Sequence, residues 1–304
     1  MRRAPGLIIT AALAFLFCGG EIQKELKAEL SVVVTFLPIY LITTNVVGNV
    51  GGVVVEVLVD PEAGDLHNYQ LAPRDMLTLN GADLVVVNGL GLEGFLEDAL
   101  SDLPPETIIV AASEGIEPLP YRFGEEKPGG RHHGGWDPHV WTSPKGAVGI
   151  TENVRDALVE ADPANADAYR ANAADLIGRL DAIYGEMLSA AEGWGNRVII
   201  TNHDAFGYLA RDVGLEIAGV VMLTPGASPS AGEMLELVEL VGTTGAAAVF
   251  VEPQYPEGPA RRIAEQAGVP VYTLDPCVTG ETNPGYLLEV MERNLENLDA
   301  ALGG

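Results

Sequence analysis

The chain has 304 residues, 43 Asp+Glu against 17 Lys+Arg, a formal net charge of −26 and 47% hydrophobic residues. That length and apolar content exclude a disordered chain and favour two domains over one, and the negative field excludes nucleic acid or an anionic membrane surface as a partner. The same field concentrates cations; a salt-rich environment accounts for it equally well.

The first residues read as an export signal. Met1-Arg2-Arg3 is a short basic start, residues 7–17 are an apolar run too short to span a bilayer, and Cys18-Gly19-Gly20 follows. A cysteine at that place resembles a bacterial lipoprotein cleavage site, although Phe17 stands where a small residue is usual. The expectation is a signal peptide over residues 1–18 and a charged tether over 19–30, with the chain exported and lipid-anchored through Cys18 to the outer face of the cell membrane. A membrane anchor, or an ordinary signal with an incidental cysteine, is the alternative. With Cys18 lipidated, Cys277 has no partner and no intrachain disulfide is expected.

Strands and helices then alternate. The β-branched run 31–36 reads as a strand, 39–50 as a helix closed by Gly51-Gly52, and 53–59 as a second strand feeding the loop 60–67. Pro73 opens a short helix, 83–88 is a strand, 92–100 a helix and 107–110 a strand. Near-continuous apolar strands between helices predict a parallel sheet covered on both faces. Periodicity lapses over 114–135, a loop. Trp136-Asp137-Pro138-His139-Val140-Trp141 follows; nothing in it suggests packed core, and it reads as a seam where two halves meet, with His139 facing a site they share.

Two helices come next, over 143–160 and 164–191, broken at Asp162-Pro163, where Asp162 is placed to cap and Pro163 to take the first helical position. The second carries Tyr169, Leu176, Leu180, Ile183, Tyr184, Met187 and Leu188 on one stripe and is long enough to be a spine. The alternation then resumes, with strands over 197–201, 217–222, 246–251 and 269–274 and helices over 205–211, 231–241, 257–267 and 283–302. The fold class is α/β: an N-terminal lobe over 31–162, a linking helix over 163–192 and a C-terminal lobe over 193–304, with a site in the cleft between the lobes.

In open α/β sheets ligands bind beyond the carboxyl ends of the strands. His67, His203 and Asp275 fall there, and His139 lies at the start of the first helix after the lobe boundary. Two imidazoles from the first half, plus an imidazole and a carboxylate from the second, make a four-donor set suited to Zn2+: neutral imidazole is a good ligand near neutral pH, and the carboxylate offsets part of the metal's charge. Each residue has an ordinary alternative: a loop histidine at His67, an exposed one at His139, a helix cap or a base beside Asp204 at His203, a strand-end turn at Asp275. His132 and His133 sit in the solvated loop, with an auxiliary metal-collecting role as the alternative. Cys277 reads as a small buried apolar residue rather than a soft ligand. Glu252, at a strand end, either hydrogen-bonds a ligand imidazole or is an ordinary turn residue.

At these residues the chain resembles the metal-specific solute-binding proteins of ABC importers, the family of the zinc-binding ZnuA and TroA type and the manganese-binding PsaA type. The resemblance runs from about Val33 to the C-terminus. It is carried by Pro61-Glu62-Ala63-Gly64-Asp65-Leu66-His67-Asn68-Tyr69-Gln70, by residues 83–91, by Asp137-Pro138-His139-Val140-Trp141, by Asn202-His203-Asp204-Ala205-Phe206-Gly207-Tyr208-Leu209 and by Leu274-Asp275-Pro276. It departs from the family pattern at Leu66, where proline is typical. The resemblance implies His67, His139, His203 and Asp275 as metal ligands, two α/β lobes on one rigid helix, and small lobe and loop movements rather than wide closure. Manganese binders of the family tend to carry glutamate at the third position, so His203 points to the zinc branch, with Mn2+ the alternative cargo.

The function expected is a monomeric extracytoplasmic zinc-capture protein that hands its ion to the membrane permease of an ABC importer; it is not an enzyme. A zinc hydrolase is the rival from another class, weakened by four protein ligands filling the position that catalytic water needs and by the lack of an HExxH run. A surface protein or adhesin that keeps the site for stability is the third reading.

Overall fold

The computed structural model describes residues 30–62, 66, 69–123 and 135–303. Cys18, His67, His132 and His133 lie outside the described residues, as do the expected signal and the tether up to residue 29; Leu30, assigned to the tether, is the first residue of a strand.

Two four-stranded parallel sheets organise the rest. β1 (Leu30–Val34), β2 (Val53–Val57), β3 (Leu84–Val87) and β4 (Ile108–Ala111) pair in the order β2-β1-β3-β4. β5 (Val198–Thr201), β6 (Glu216–Val220), β7 (Ala248–Val251) and β8 (Val271–Thr273) repeat that order as β6-β5-β7-β8. In both, the central strands are apolar on each face because helices cover both sides: β3 and β7 are buried at every residue. The order reverses beside the first strand of each sheet, between β1 and β3 and between β5 and β7, and a crevice opens there at the carboxyl ends.

The helices are α1 (Leu37–Val47), α2 (Pro73–Asn80), α3 (Glu97–Ser101), α4 (Pro144–Ala161), α5 (Ala166–Gly193), α6 (Gly207–Val213), α7 (Ala231–Thr244), α8 (Gly258–Ala267) and α9 (Tyr286–Leu302). Two parallel-sheet lobes are thus joined by the long helical pair α4 and α5, which pack on one another. α5 buries Tyr169, Ala173, Leu176, Leu180, Ile183, Met187 and Ala191, the i, i+3, i+4 stripe expected, and each large apolar side chain so buried stabilises by about 1.5–3 kcal/mol. Tyr184 and Leu188 depart from that expectation: each stands one residue, about 100°, past a buried one on the helix, and Tyr184 is half-buried while Leu188 is 41% exposed.

Several helices start later than the pattern predicts, and for three of them a local turn accounts for the delay. The helix expected from 92 begins at Glu97, because Gly89, Leu90 and Gly91 all have positive φ (88°, 54° and 78°) and turn the chain before it winds. α6 begins at Gly207 because the chain turns tightly at 203–205, the Ala205 N–H donating to the His203 carbonyl. α9 begins at Tyr286, after the Asn283 side chain accepts from the Gly285 N–H at 3.0 Å. At the break between α4 and α5, Asp162 does not cap with its side chain; its carboxylate accepts instead from the Tyr169 hydroxyl at 2.9 Å and from Asn165.

Candidate metal centre

The stretch around His139 is packed core, contrary to what its composition suggests, although it does lie where the two halves meet. Asp137, His139, Val140 and Trp141 are buried, and only Trp136 stays 44% exposed. The cause is a short antiparallel pairing that draws the chain inward: Pro120 bridges Trp136, the Tyr121 N–H donates to the Gly135 carbonyl at 3.0 Å, and the Asp137 N–H donates to Leu119 at 2.8 Å. Tyr208 of α6 donates its hydroxyl proton to the Asp137 carbonyl at 2.8 Å, and Asn88, just past β3, donates its amide to the Pro138 carbonyl at 2.9 Å. The segment is therefore held from both lobes.

Within it, the Asp137 carboxylate accepts twice from His139, from the backbone N–H at 2.9 Å and from Nδ1 at 2.8 Å. A carboxylate oxygen is an acceptor, so Nδ1 carries the proton. Gly207 allows this: a Cβ there would lie 2.5 Å from the Asp137 Oδ2.

His203, at the end of β5, repeats the arrangement with a partner from β7. Glu252 Oε1 accepts from the His203 backbone N–H at 3.0 Å and from Nδ1 at 2.7 Å, while Gln254 donates to Oε2 at 2.7 Å. Glu252 is 1% exposed, which excludes the ordinary surface turn and leaves the imidazole partner. Burial works against a charge on His203, but Glu252, Asp204 and Asp137 outweigh it and raise its pKa above the usual imidazole value. The His203 ring is thus held by Glu252. The Asp204 carboxylate accepts from the Arg122 and Phe123 backbone N–H groups at 3.0 and 3.2 Å, and burial followed by the charge of Asp137 raises its pKa against the pull of those donors and the Arg122 guanidinium.

The two imidazoles meet. Their ring centroids lie 5.1 Å apart at 78°, with Trp141 5.3 Å from His139 and Tyr255 5.6 Å from His203. Tyr121 senses the same acidity: burial first, then Asp204, Asp137 and Glu252, push its phenol well above the usual value.

Asp275 stands at the end of β8. Asn294 of α9 holds its peptide on both sides, accepting from its N–H at 2.8 Å and donating to its carbonyl at 2.8 Å, and the Asp275 side chain accepts from the Cys277 N–H at 2.7 Å. The indole of Trp141 donates to the Pro276 carbonyl at 2.7 Å, so the His139 segment and the Asp275 loop touch directly. Burial raises the Asp275 pKa against the Cys277 N–H and Arg293, and Glu252 adds to the rise. Cys277 is a buried free thiol whose pKa burial and Asp275 drive well up, as suits a small buried residue rather than a thiolate ligand.

The structure thus brings His139 and His203 together. Among the described residues no three His, Cys, Asp or Glu side chains converge closely enough to hold a metal as a group, so Asp275 is beside the pair rather than on it. Asp137, Asn88 and Asn294 were missed by sequence reasoning. Asp137 was readable as an Asp two residues before a histidine, the spacing of an Asx turn. Asn294 was readable as a lone amide among Leu287, Val290, Met291 and Leu298, the apolar side of α9.

Two parallel-sheet lobes on a helical spine, with imidazole–carboxylate pairs buried between them, define a cleft-binding protein whose donors suit a metal ion. Over residues 32–301 the chain matches the family described as ZnuA, zinc-uptake complex component A, periplasmic, and it belongs to that family. It is 30% identical over 305 residues to the zinc-binding lipoprotein AdcA of Streptococcus pneumoniae, covering 96% of this chain and 60% of AdcA. The chain therefore spans about 60% of the length of that relative. It is 34% identical over 274 residues to the iron-binding protein YfeA of Yersinia pestis, covering 86% of this chain and 80% of YfeA. Among solved structures, the laminin-binding protein Lmb of Streptococcus agalactiae, described as bifunctional with adhesin and metal transporting activity, superposes with a TM-score of 0.78 at 25% identity, over 90% of this chain and 99% of Lmb.

Proposed function

We propose that the chain is an extracytoplasmic solute-binding protein that captures Zn2+ between its lobes and delivers it to the permease of an ABC importer. The observation that carries this reading is the pair of buried imidazoles, one from each side of the cleft, each with Nδ1 engaged by its own carboxylate. Such carboxylates fix the tautomer and turn Nε2 toward the metal while making it a stronger donor. His67 and Asp275 complete a set of three imidazoles and one carboxylate, a composition that favours Zn2+ over the harder Mn2+. The Asp275 carboxylate joins when the ion arrives, exchanging the Cys277 N–H for the metal. Four protein donors leave no position for a catalytic water, which supports binding rather than hydrolysis. Attachment to the membrane through a lipid at Cys18 belongs to the same reading, supported by the lipoprotein description of AdcA.

Calorimetric competition between zinc and manganese on the metal-stripped protein tests it, with His203→Glu alongside. Zinc binds more tightly than manganese in the unmodified protein, and the glutamate variant narrows the difference. Manganese binding the more tightly overturns the zinc assignment, and binding of neither overturns the site.

A further inference from the structure

An asparagine in the interior of a helix is a poor choice on propensity, and a buried one is costly unless both ends of its amide are used. Asn294 stands in the middle of α9 on the side that packs, 4% exposed, and both ends are used on the backbone of one residue: Oδ1 takes the Asp275 N–H and Nδ2 gives to the Asp275 carbonyl, each at 2.8 Å. The amide acts as a strand would, pairing with the chain just where β8 ends. Its base is rigid, since α9 packs on α5 and on β8, and the chain just ahead of α9 is tied to the first lobe by the Asn45 amide, which donates to the Pro284 carbonyl at 2.7 Å. From the other side the Trp141 indole holds the Pro276 carbonyl, and Cys277 takes a positive φ of 61° that closes the turn.

From this clamp we infer that Asn294 is a positioning residue for the metal: it fixes the backbone of Asp275 so that the ion recruits a carboxylate by one side-chain rotation rather than by ordering a loop. The inference rests on Asp275 being a ligand, as proposed above. Preorganisation is the physical content. A loop left free would have to surrender backbone freedom at the moment of binding, and that loss would subtract from affinity. Asn294 has already removed it in the folded protein. A helix that contributes no ligand thus shapes the proposed site, and a polar side chain is accommodated on the packed side of α9 because both ends of its amide are bonded.

The test is a double-mutant cycle on zinc affinity in the full-length protein, with Asn294→Leu, Asp275→Ala and the pair, read by competition against a chromophoric chelator. Asn294→Leu weakens zinc binding by about 10- to 100-fold, the usual cost of removing a group that orients a ligand, and has no further effect once Asp275 is alanine. Cobalt(II) loaded in place of zinc supplies a spectroscopic readout: its visible bands shift in Asn294→Leu and not between Asp275→Ala and the double variant. The thermal midpoint of the metal-free protein separates a general loss of stability, which would act in both backgrounds alike. If the leucine variant does not fold, Asn294→Ala, which leaves room for a water, runs the same cycle. Full affinity in Asn294→Leu, or an equal loss with and without Asp275, overturns the inference alone. Full affinity in Asp275→Ala overturns Asp275 as a ligand and the inference with it.

Discussion

The two lobes share one strand order, and each buries a glutamate at the carboxyl ends of its two central strands, but the two glutamates have opposite tasks. In the first lobe Glu93 accepts from the Thr35 hydroxyl past β1 at 2.8 Å and from the Asn88 and Gly89 N–H groups past β3 at 2.6 and 3.1 Å. Burial raises its pKa in spite of those three donors. In the second lobe Glu252 spends one oxygen on His203, backbone and ring. The same crevice thus yields a static strut where a carboxylate meets backbone and hydroxyl donors, and, where it meets an imidazole, the oriented donor proposed for the metal. The chemistry placed at the switch point, rather than the topology, makes a site.

The comparison breaks first at Glu252. Glu252→Gln keeps the shape and removes the charge behind the imidazole, and is expected to weaken zinc binding by about 10- to 100-fold in calorimetric titration. Glu93→Gln is the counterpart. It sets an amide NH2 among three donors and is expected to lower unfolding free energy by about 1–3 kcal/mol in denaturant titration while changing zinc affinity far less. Equal effects on affinity from the two variants would erase the distinction between strut and donor.

Gly207→Ala sharpens the contrast from the His139 side. The added methyl enters the space of the Asp137 carboxylate, turning it off Nδ1, and zinc affinity is expected to fall by about tenfold, about 1.4 kcal/mol, with the fold retained by circular dichroism.

The smallest effect is with pH. The raised pKa of His203 means that its proton stabilises the metal-free fold fully below the unfolded value, about 6.5, and that this contribution is lost as pH rises through the folded value. With His203 as the ligand proposed, zinc displaces the same proton, so affinity is expected to move the opposite way. Between about pH 6 and about pH 8 the gap between zinc-loaded and metal-free thermal midpoints is expected to widen, and His203→Asn should flatten the metal-free dependence.

Much of this architecture was legible in the chain itself. Apolar β-branched runs at regular intervals marked all eight strands, and the stripe from Tyr169 to Met187 marked the spine, because burial on two faces and burial on one leave different periodicities. His139 and His203 were legible because each follows a strand or a proline turn at the rim of an open sheet. The helix starts were less so: Leu90 takes a left-handed conformation uncommon for a residue with a side chain, in a turn where Glu93 accepts from the Asn88 and Gly89 N–H groups.

By itself, then, the sequence determined the two parallel sheets, the helical spine and the residue types available to a metal, since these follow from hydrophobic period and side-chain chemistry. Tertiary structure alone decided the distant pairings: Glu252 to His203 across 49 positions, and Asn294 and Trp141 to the loop of Asp275 across 19 and 135. Hydrogen bonds between segments distant in the chain leave no periodic trace in it. They form where folding brings a donor and an acceptor together, and they hold most strongly where water is removed from both partners.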